Sequence, residues 1–227
     1  MMASDGKLGL FFEGQRMHFA VLVILLAAVW ELSGLAGFGA GEFLGLSTMG
    51  WVALSVGDAV LHQVYVWLCW RAELHGQTLS RWFGPKAFTL YAVLFTALFA
   101  ARPILAFALG WSNRGTLDIH PWAGWGIALV LFLPAVYLMI SIRRYFSFRR
   151  AFGIDHFEPG YRSLPMVRDG IFRFSPNAMY VFGFFMLWVP AFLFQSMAAM
   201  VIAAFSHAYI WVHYYATEKP DMKRIYG

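Results

Sequence analysis

Six separate stretches of mostly apolar residues, at about 18–37, 49–70, 87–109, 122–142, 178–193 and 197–216, constrain this chain more than any other feature. A run of roughly 20 such residues crosses a bilayer as an α-helix, because a helix satisfies every backbone N–H and C=O within its own segment. Composition agrees: 60% of the 227 residues are hydrophobic and 13% are charged, too little polar surface to coat a water-soluble globule. The sequence therefore predicts an all-α fold, a polytopic transmembrane helix bundle of about six spans. The fifth stretch is the shortest, and only Phe194-Gln195-Ser196 joins it to the sixth. That spacing predicts a tight helical hairpin, tilted or not fully crossing. The polar stretch through Arg16 reads as the approach to a retained first helix, since no small-residue cleavage site ends the run behind it.

Six crossings place both termini on one side, and lysine and arginine decide which. Lys7 and Arg16 precede the first span, Arg71, Arg81 and Lys86 lie in the second loop, and Lys219, Lys223 and Arg224 form the tail. The connection after the fourth span adds Arg143, Arg144, Arg149, Arg150, Arg162, Arg168 and Arg173, whereas the opposite loops hold only Arg114. The positive-inside rule then predicts a multi-pass protein with cytoplasmic N- and C-termini. The net charge of +5 reads as attraction to anionic headgroups and not to nucleic acid, because the basic residues cluster beside apolar runs. The single cysteine, Cys69, excludes an intramolecular disulfide and is given no role.

No repeat or linker divides the chain, so residues 1–227 are expected to form one domain, with its catalytic elements mainly in 143–227. Residues 143–177 make an unusually long connection. Phe146, Phe148, Phe152, Phe157, Tyr161, Phe172 and Phe174 argue against disorder there and predict an interfacial cover over the helix ends.

Ionisable groups inside the spans are costly and call for a reason. Glu31, Asp58 and Arg102 fall at similar depths in the first three spans, which predicts one buried cluster, read first as a structural ion pair and second as a headgroup site. His62 and His207 match in depth, and interhelical hydrogen bonding explains them better than a metal, for which a third ligand is missing. Trp30, Trp51, Trp67, Trp70, Trp122, Trp125, Trp188 and Trp211 lie mostly toward predicted interfaces and read as belt anchors.

The apolar hairpin carries polar groups at both cytoplasmic ends. Arg173, Ser175, Asn177 and Tyr180 stand at its opening; His213, Tyr214, Thr217 and Glu218 stand at its close. An antiparallel hairpin makes those ends neighbours. The segment resembles the membrane methyltransferase superfamily that includes phospholipid (phosphatidylethanolamine) N-methyltransferases and isoprenylcysteine carboxyl methyltransferases. Its members carry a Gly-x-Tyr/Phe-Arg-x-x-Arg-His-Pro-x-Tyr segment, then a Glu-Glu pair and a terminal aromatic-glycine element. Gly170, Phe172, Arg173 and Tyr180 match the first, Glu218 the first acid, and Tyr226-Gly227 the close. Pro176, Asn177 and Ala178 replace Arg, His and Pro, Lys219 replaces the second acid, and Gly183 lies one residue later than usual.

The resemblance implies S-adenosylmethionine in a cytoplasmic pocket between hairpin, tail and long loop. It implies Glu218 for the cofactor ammonium, Arg173, Asn177 and Tyr180 for its carboxylate and hydroxyls, Gly183 and His213 beside it, and no metal. The acceptor is expected to be phosphatidylethanolamine or a related amino-lipid drawn from the inner leaflet, toward phosphatidylcholine biosynthesis. A protonated amine cannot attack, so a base is needed, with His156 first and Asp155 and His213 behind it. Arg143, Arg144, Arg149 and Arg150 suit a lipid phosphate by charge. Competing readings are a prenylcysteine-type carboxyl methyltransferase, a nicotinamide-dependent enzyme resembling the sterol reductases, and a small transporter using Glu31, Asp58, His62 and Arg102 as a polar path.

Overall fold

The computed structural model describes residues 2–227, with side chains from Lys7 onward. Helix α1 (Met2–Phe12) meets α2 (Gln15–Ser33) at Gly14, whose left-handed φ of 77° turns the chain. A two-stranded hairpin, β1 (Glu42–Phe43) and β2 (Leu46–Ser47), turns on Leu44 and Gly45, both with positive φ as a tight hairpin turn requires. Ser47 then caps α3 (Thr48–Gly76), its side chain accepting from the Gly50 amide at 3.2 Å. After the short α4 (Thr78–Phe83) come α5 (Ala87–Ser112) and α6 (Pro121–Ser141), the latter entered through a proline at its first position. Helix α7 (Phe148–Ala151) sits in the long connection; α8 (Phe185–Leu193), α9 (Met197–His213) and α10 (Lys219–Tyr226) complete the chain.

Among the described residues, five helical stretches are long and apolar enough to cross a membrane: Lys7–Ser33, Thr48–Gly76, Thr78–Ser112, Pro121–Phe146 and Met197–Tyr226. Met179–Leu193 is apolar but shorter; at about 1.5 Å per residue it falls short of a ~30 Å hydrocarbon core. The hairpin is thus asymmetric, one short arm and one long. Helix α9 is the central post, packing against α2, α3, α5 and α8, while α6 leans mainly on α8. Small residues permit the close approaches: Ala191, Ala198, Ala199 and Ala203 are buried where the helices cross.

Polar locks close both ends of the bundle. At one end Asn113, which follows α5, donates from Nδ2 to the carbonyls of Gly37, Phe38 and Ala40 at 2.9–3.0 Å. Its Oδ1 accepts from the Ala198 amide (2.9 Å) and the hydroxyls of Ser196 (3.1 Å) and Thr116 (2.7 Å). One side chain thereby ties together a loop, a helix start and a turn. At the other end Gln15 Nε2 donates to Thr217 Oγ1 (3.1 Å), and His18 bridges Gln15 and the Tyr209 hydroxyl at 2.9 and 2.7 Å. The first and last helices therefore meet at the same end. Lys7, Arg16, Arg71 and the arginines of 143–173 gather there, and it is called the basic end below.

The polar residues of the spans sort differently from their expected depths. Arg102 approaches Asp58 at 3.7 Å, but Glu31 is exposed on α2 and takes no part. Helix α2 buries Gln15, His18 and Leu22 and packs Leu25 and Val29 against the core, and Glu31 is not on that face. His207 accepts from the Trp188 indole at 3.2 Å, whereas His62 packs edge-on against Phe95 in a separate place. Trp30 and Trp122 are exposed as belt residues would be, yet Trp67 and Trp70 are buried. Replacing Asn113 with Ala is expected to lower stability in detergent by about 1–3 kcal/mol, since the buried Phe38 carbonyl and Ala198 amide lose their partner together; a shift in thermal unfolding measures it.

Candidate active site

Three single turns of π-helix interrupt the bundle, at Ile142–Phe146, Met179–Gly183 and Tyr214–Glu218, and all lie at the basic end. An added residue in a helical turn rotates the face that follows, and such bulges gather where side chains must be re-aimed. Here the second and third turns bring Tyr180 and Glu218 together: the Tyr180 hydroxyl donates to a Glu218 carboxylate oxygen across 38 residues of chain. Tyr214 and Trp211 pack against the Tyr180 ring at 5.6 and 5.9 Å between centroids.

The segment opening the hairpin is seated on the end of α6. Gly170 has φ 60°, and a Cβ there would lie 2.6 Å from Ser141 Oγ, so glycine is needed for backbone shape and for space. The Ile171 amide donates to that same Ser141 hydroxyl at 3.1 Å, and buried Phe172 stacks on Phe146 at 5.0 Å. Much of this motif is therefore architectural, holding the start of the short arm in position.

Between α3, α5, α6, the short arm and α9 lies a cavity of about 310 Å³, covered by α7. Its walls are mostly apolar and aromatic, with Trp70, Phe95, Phe152, Tyr180 and Phe184 among them. His62, Gln63, Arg102 and His213 supply further polar groups, and among the described residues no carboxylate lines it. His62 Nδ1 and His213 Nδ1 are buried without a hydrogen-bond partner, as is the Trp70 indole nitrogen. Unpaired buried polar atoms on a cavity wall mark places where a guest is accommodated. Helices α5 and α6 both line the cavity without packing extensively on each other.

Behind Trp70 runs a chain of charges. Arg71, fully buried, meets Asp221 through Nε at 2.7 and 2.9 Å and donates from its guanidinium to the carbonyls of Leu10, Ala216 and Thr217. Asp221 also lies 3.6 Å from His156 Nε2, and His156 Nδ1 lies 3.4 Å from Asp155, which accepts from the Tyr226 hydroxyl at 2.7 Å. The His156 ring stacks on Trp70 at 4.1 Å. Burial alone would lower the His156 pKa, but its two carboxylate neighbours outweigh it and hold the imidazolium above its ordinary range. For Asp155 burial acts upward, and the contacts from His156 and Tyr226 pull the carboxyl below its ordinary value.

The sequence candidates separate accordingly. Tyr180, Gly183 and His213 line the cavity and Glu218 joins them through Tyr180. His156 and Asp155 do not line it; the Trp70 ring stands between His156 and that space, with His156 serving the tail. Asn177 uses its carbonyl to start the short arm, accepting from the amides of Tyr180 and Val181. Arg173 is exposed with its guanidinium over Phe174. Arg143 and Arg144 are exposed, Arg149 pairs with Glu158 at 2.9 Å, and Arg150 donates to the Pro165 carbonyl at 3.1 Å. None of the four reaches the cavity. Trp70, Arg71 and Asp221 carried no chemical signal in the sequence: two stood among ordinary interfacial residues, and the acid lay in a basic tail.

The part of the chain that builds this end matches the phospholipid methyltransferase family model over residues 124–227. That match ties this stretch, a little under half of the chain, to the phospholipid methyltransferases. The match takes in most of α6, the long connection, both hairpin arms and the tail, every element that carries a π turn. Neither the curated proteins nor the solved structures contain a match to the chain. The match supports reading this part of the molecule as a membrane methyltransferase in general terms, and Tyr180, His213 and Glu218 all fall within it.

Breaking the buried pair by Asp221→Asn strands the Arg71 guanidinium and is expected to cost about 3–5 kcal/mol in denaturation of the detergent-solubilised protein. His156 gives a pH signature with a defined sign. Its folded pKa is raised, so its contribution is fully present below the ordinary 6.5 and is lost as pH rises through the folded value. His156→Gln should therefore cost most at pH 6 and progressively less at higher pH. Asp155 runs the other way, contributing above its ordinary 3.8 and losing that contribution as pH falls through its depressed value.

Proposed function

We propose that the chain transfers a methyl group from S-adenosylmethionine to the amine of phosphatidylethanolamine or a related amino-lipid. The observation that carries this reading is the meeting of Tyr180 and Glu218 beside an apolar cavity, several of whose polar wall atoms are unpaired. The residues present fit the donor's chemistry: a carboxylate for its ammonium, aromatic faces that favour a cation, and unpaired nitrogens on the wall. When bound, S-adenosylmethionine supplies an electrophilic methyl group carried on a sulfonium.

The chain's own groups then have separable tasks. Glu218, oriented by the Tyr180 hydroxyl, takes the donor ammonium. His213 replaces His156 as first candidate for the base, because its unpaired Nδ1 lies on the cavity wall while His156 is held by two carboxylates behind Trp70. It accepts the proton that the acceptor amine must lose before its lone pair can attack. The aromatic walls exclude water and hold the amine in line with the methyl group, which is where most of the rate enhancement of a displacement originates. The sparse packing between α5 and α6 supports lateral entry there of a lipid whose chains stay in the bilayer. By the charge asymmetry of the loops, the basic end faces the cytoplasm.

Protein reconstituted with phosphatidylethanolamine and radiolabelled S-adenosylmethionine is expected to label the extracted lipid. Glu218→Gln should raise the KM for the donor roughly 10–100-fold, the worth of one charge-assisted hydrogen bond of about 1.5–3 kcal/mol. His213→Ala should lower kcat by about 100-fold or more with little change in donor KM. Absence of label in any lipid, together with no thermal stabilisation by S-adenosylmethionine or S-adenosylhomocysteine, would discard the proposal.

A further inference from the structure

We infer that Arg102, with His62 and Gln63 beside it, is the anion-recognition point of the cavity and takes the phosphodiester of a phospholipid. Where that lipid's amine sits rests on the methyl-transfer reading above; the anion site itself does not. Arg102 is 9% exposed and lines the cavity from α5. A guanidinium offers five N–H donors. Among the described residues one carbonyl, that of Ala59, accepts from it, at 3.3 Å. Its Nε has no hydrogen-bond partner, and the Asp58 carboxylate stands 3.7 Å away, beyond hydrogen-bonding distance, with Oδ2 itself unpaired. A purely structural ion pair at this depth would need close geometry and filled donors to offset desolvation, and this one has neither.

The surroundings specify the missing partner. His62 Nδ1, on the same cavity, is also buried and unpaired, and Gln63 adds an amide. Donors thus come from α3 and α5 in a space that no carboxylate lines among the described residues and that is otherwise walled mostly by apolar and aromatic groups. Such a space suits an oxyanion attached to an apolar body, and the planar guanidinium fork matches phosphate oxygens. Inorganic phosphate shares the anion but not the apolar body, so the walls favour the lipid. The arginines that sequence alone assigned to this task are exposed or engaged elsewhere, which leaves Arg102 as the cation facing the cavity. In the bound lipid the phosphodiester meets Arg102 and His62, the amine two carbons further lies toward Tyr180 and His213, and the acyl chains leave between α5 and α6.

The test measures binding, independently of turnover, in a phosphate-free maltoside detergent. Dodecyl phosphate, dodecanol and inorganic phosphate are titrated into wild-type protein and into Arg102→Gln, Arg102→Lys and Asp58→Asn. Wild type should bind dodecyl phosphate saturably and the other two at least about tenfold more weakly. Arg102→Gln should lose about tenfold or more in dodecyl phosphate affinity, the scale of one charge-assisted contact. Arg102→Lys should retain part of it, and Asp58→Asn, which removes the competing carboxylate, should match or exceed wild type. Unchanged thermal stabilisation by S-adenosylhomocysteine in Arg102→Gln would report an intact fold; if that variant does not fold, Arg102→Lys and Asp58→Asn carry the comparison. Equal loss of melting temperature in Arg102→Gln and Asp58→Asn, with dodecyl phosphate affinity unchanged, would overturn the inference in favour of a structural pair. Inorganic phosphate binding as tightly as dodecyl phosphate would overturn the lipid assignment. Arg102-dependent binding without methyl transfer would count against the proposed reaction alone, and methyl transfer without Arg102 dependence against this site alone.

Discussion

The buried guanidinium of Arg71 organises the basic end. Its Nε is paired with Asp221, and its terminal nitrogens reach the carbonyls of Leu10, Ala216 and Thr217, so one side chain of α3 ties down α1, the last π turn and α10. The Ala216 and Thr217 carbonyls need an external donor because the π turn at Tyr214–Glu218 disturbs the regular pattern of backbone bonds. Without that clamp, Glu218 would have no fixed position opposite Tyr180. Two buried charges far apart in sequence are an expensive way to stabilise a membrane protein, but they fix one geometry, because either charge left alone is far costlier.

From that clamp the site follows by contact. Asp221 also faces His156, His156 stacks on Trp70, and Trp70 forms a wall of the cavity, so the tail, the long connection and the cavity share a boundary. The 143–177 segment works as a cover because its aromatic side chains have places to go: Ile154 is fully buried, Phe157 packs on Tyr91, and Phe152 lies 4.6 Å from Phe95. The division of labour between the histidines has the same origin. His156 lies between two carboxylates and supports the tail, while His213 faces the cavity with a free nitrogen.

Much of the scaffold could be read in advance. Long apolar runs need helices in lipid, and the three-residue link at Phe194-Gln195-Ser196 required a hairpin with a short first arm. The convergence of Tyr180 with Glu218 was legible because the two arms are antiparallel and adjacent. Depth along a span was a weaker guide, because it gives no azimuth: Glu31 shares a level with Arg102 yet points away on the exposed side of α2. Charge in the loops misled similarly. The arginines of 143–150 signal the side of the membrane on which they lie, and three of the four are exposed, with Arg150 half-buried and bonded to Pro165.

The sequence by itself determined a helical membrane bundle, the order of its spans, the asymmetry of its charge and the motif that opens the hairpin. Each depends on local composition or on spacing within one segment, which the chain carries wherever it folds. Only the tertiary structure decided that Arg71 meets Asp221, that Trp70 separates His156 from the cavity, and that Arg102 turns an under-used guanidinium toward the same space. Those outcomes depend on helix rotation and on π turns that shift a face by one residue, and both are set by how helices from distant parts of the chain pack together.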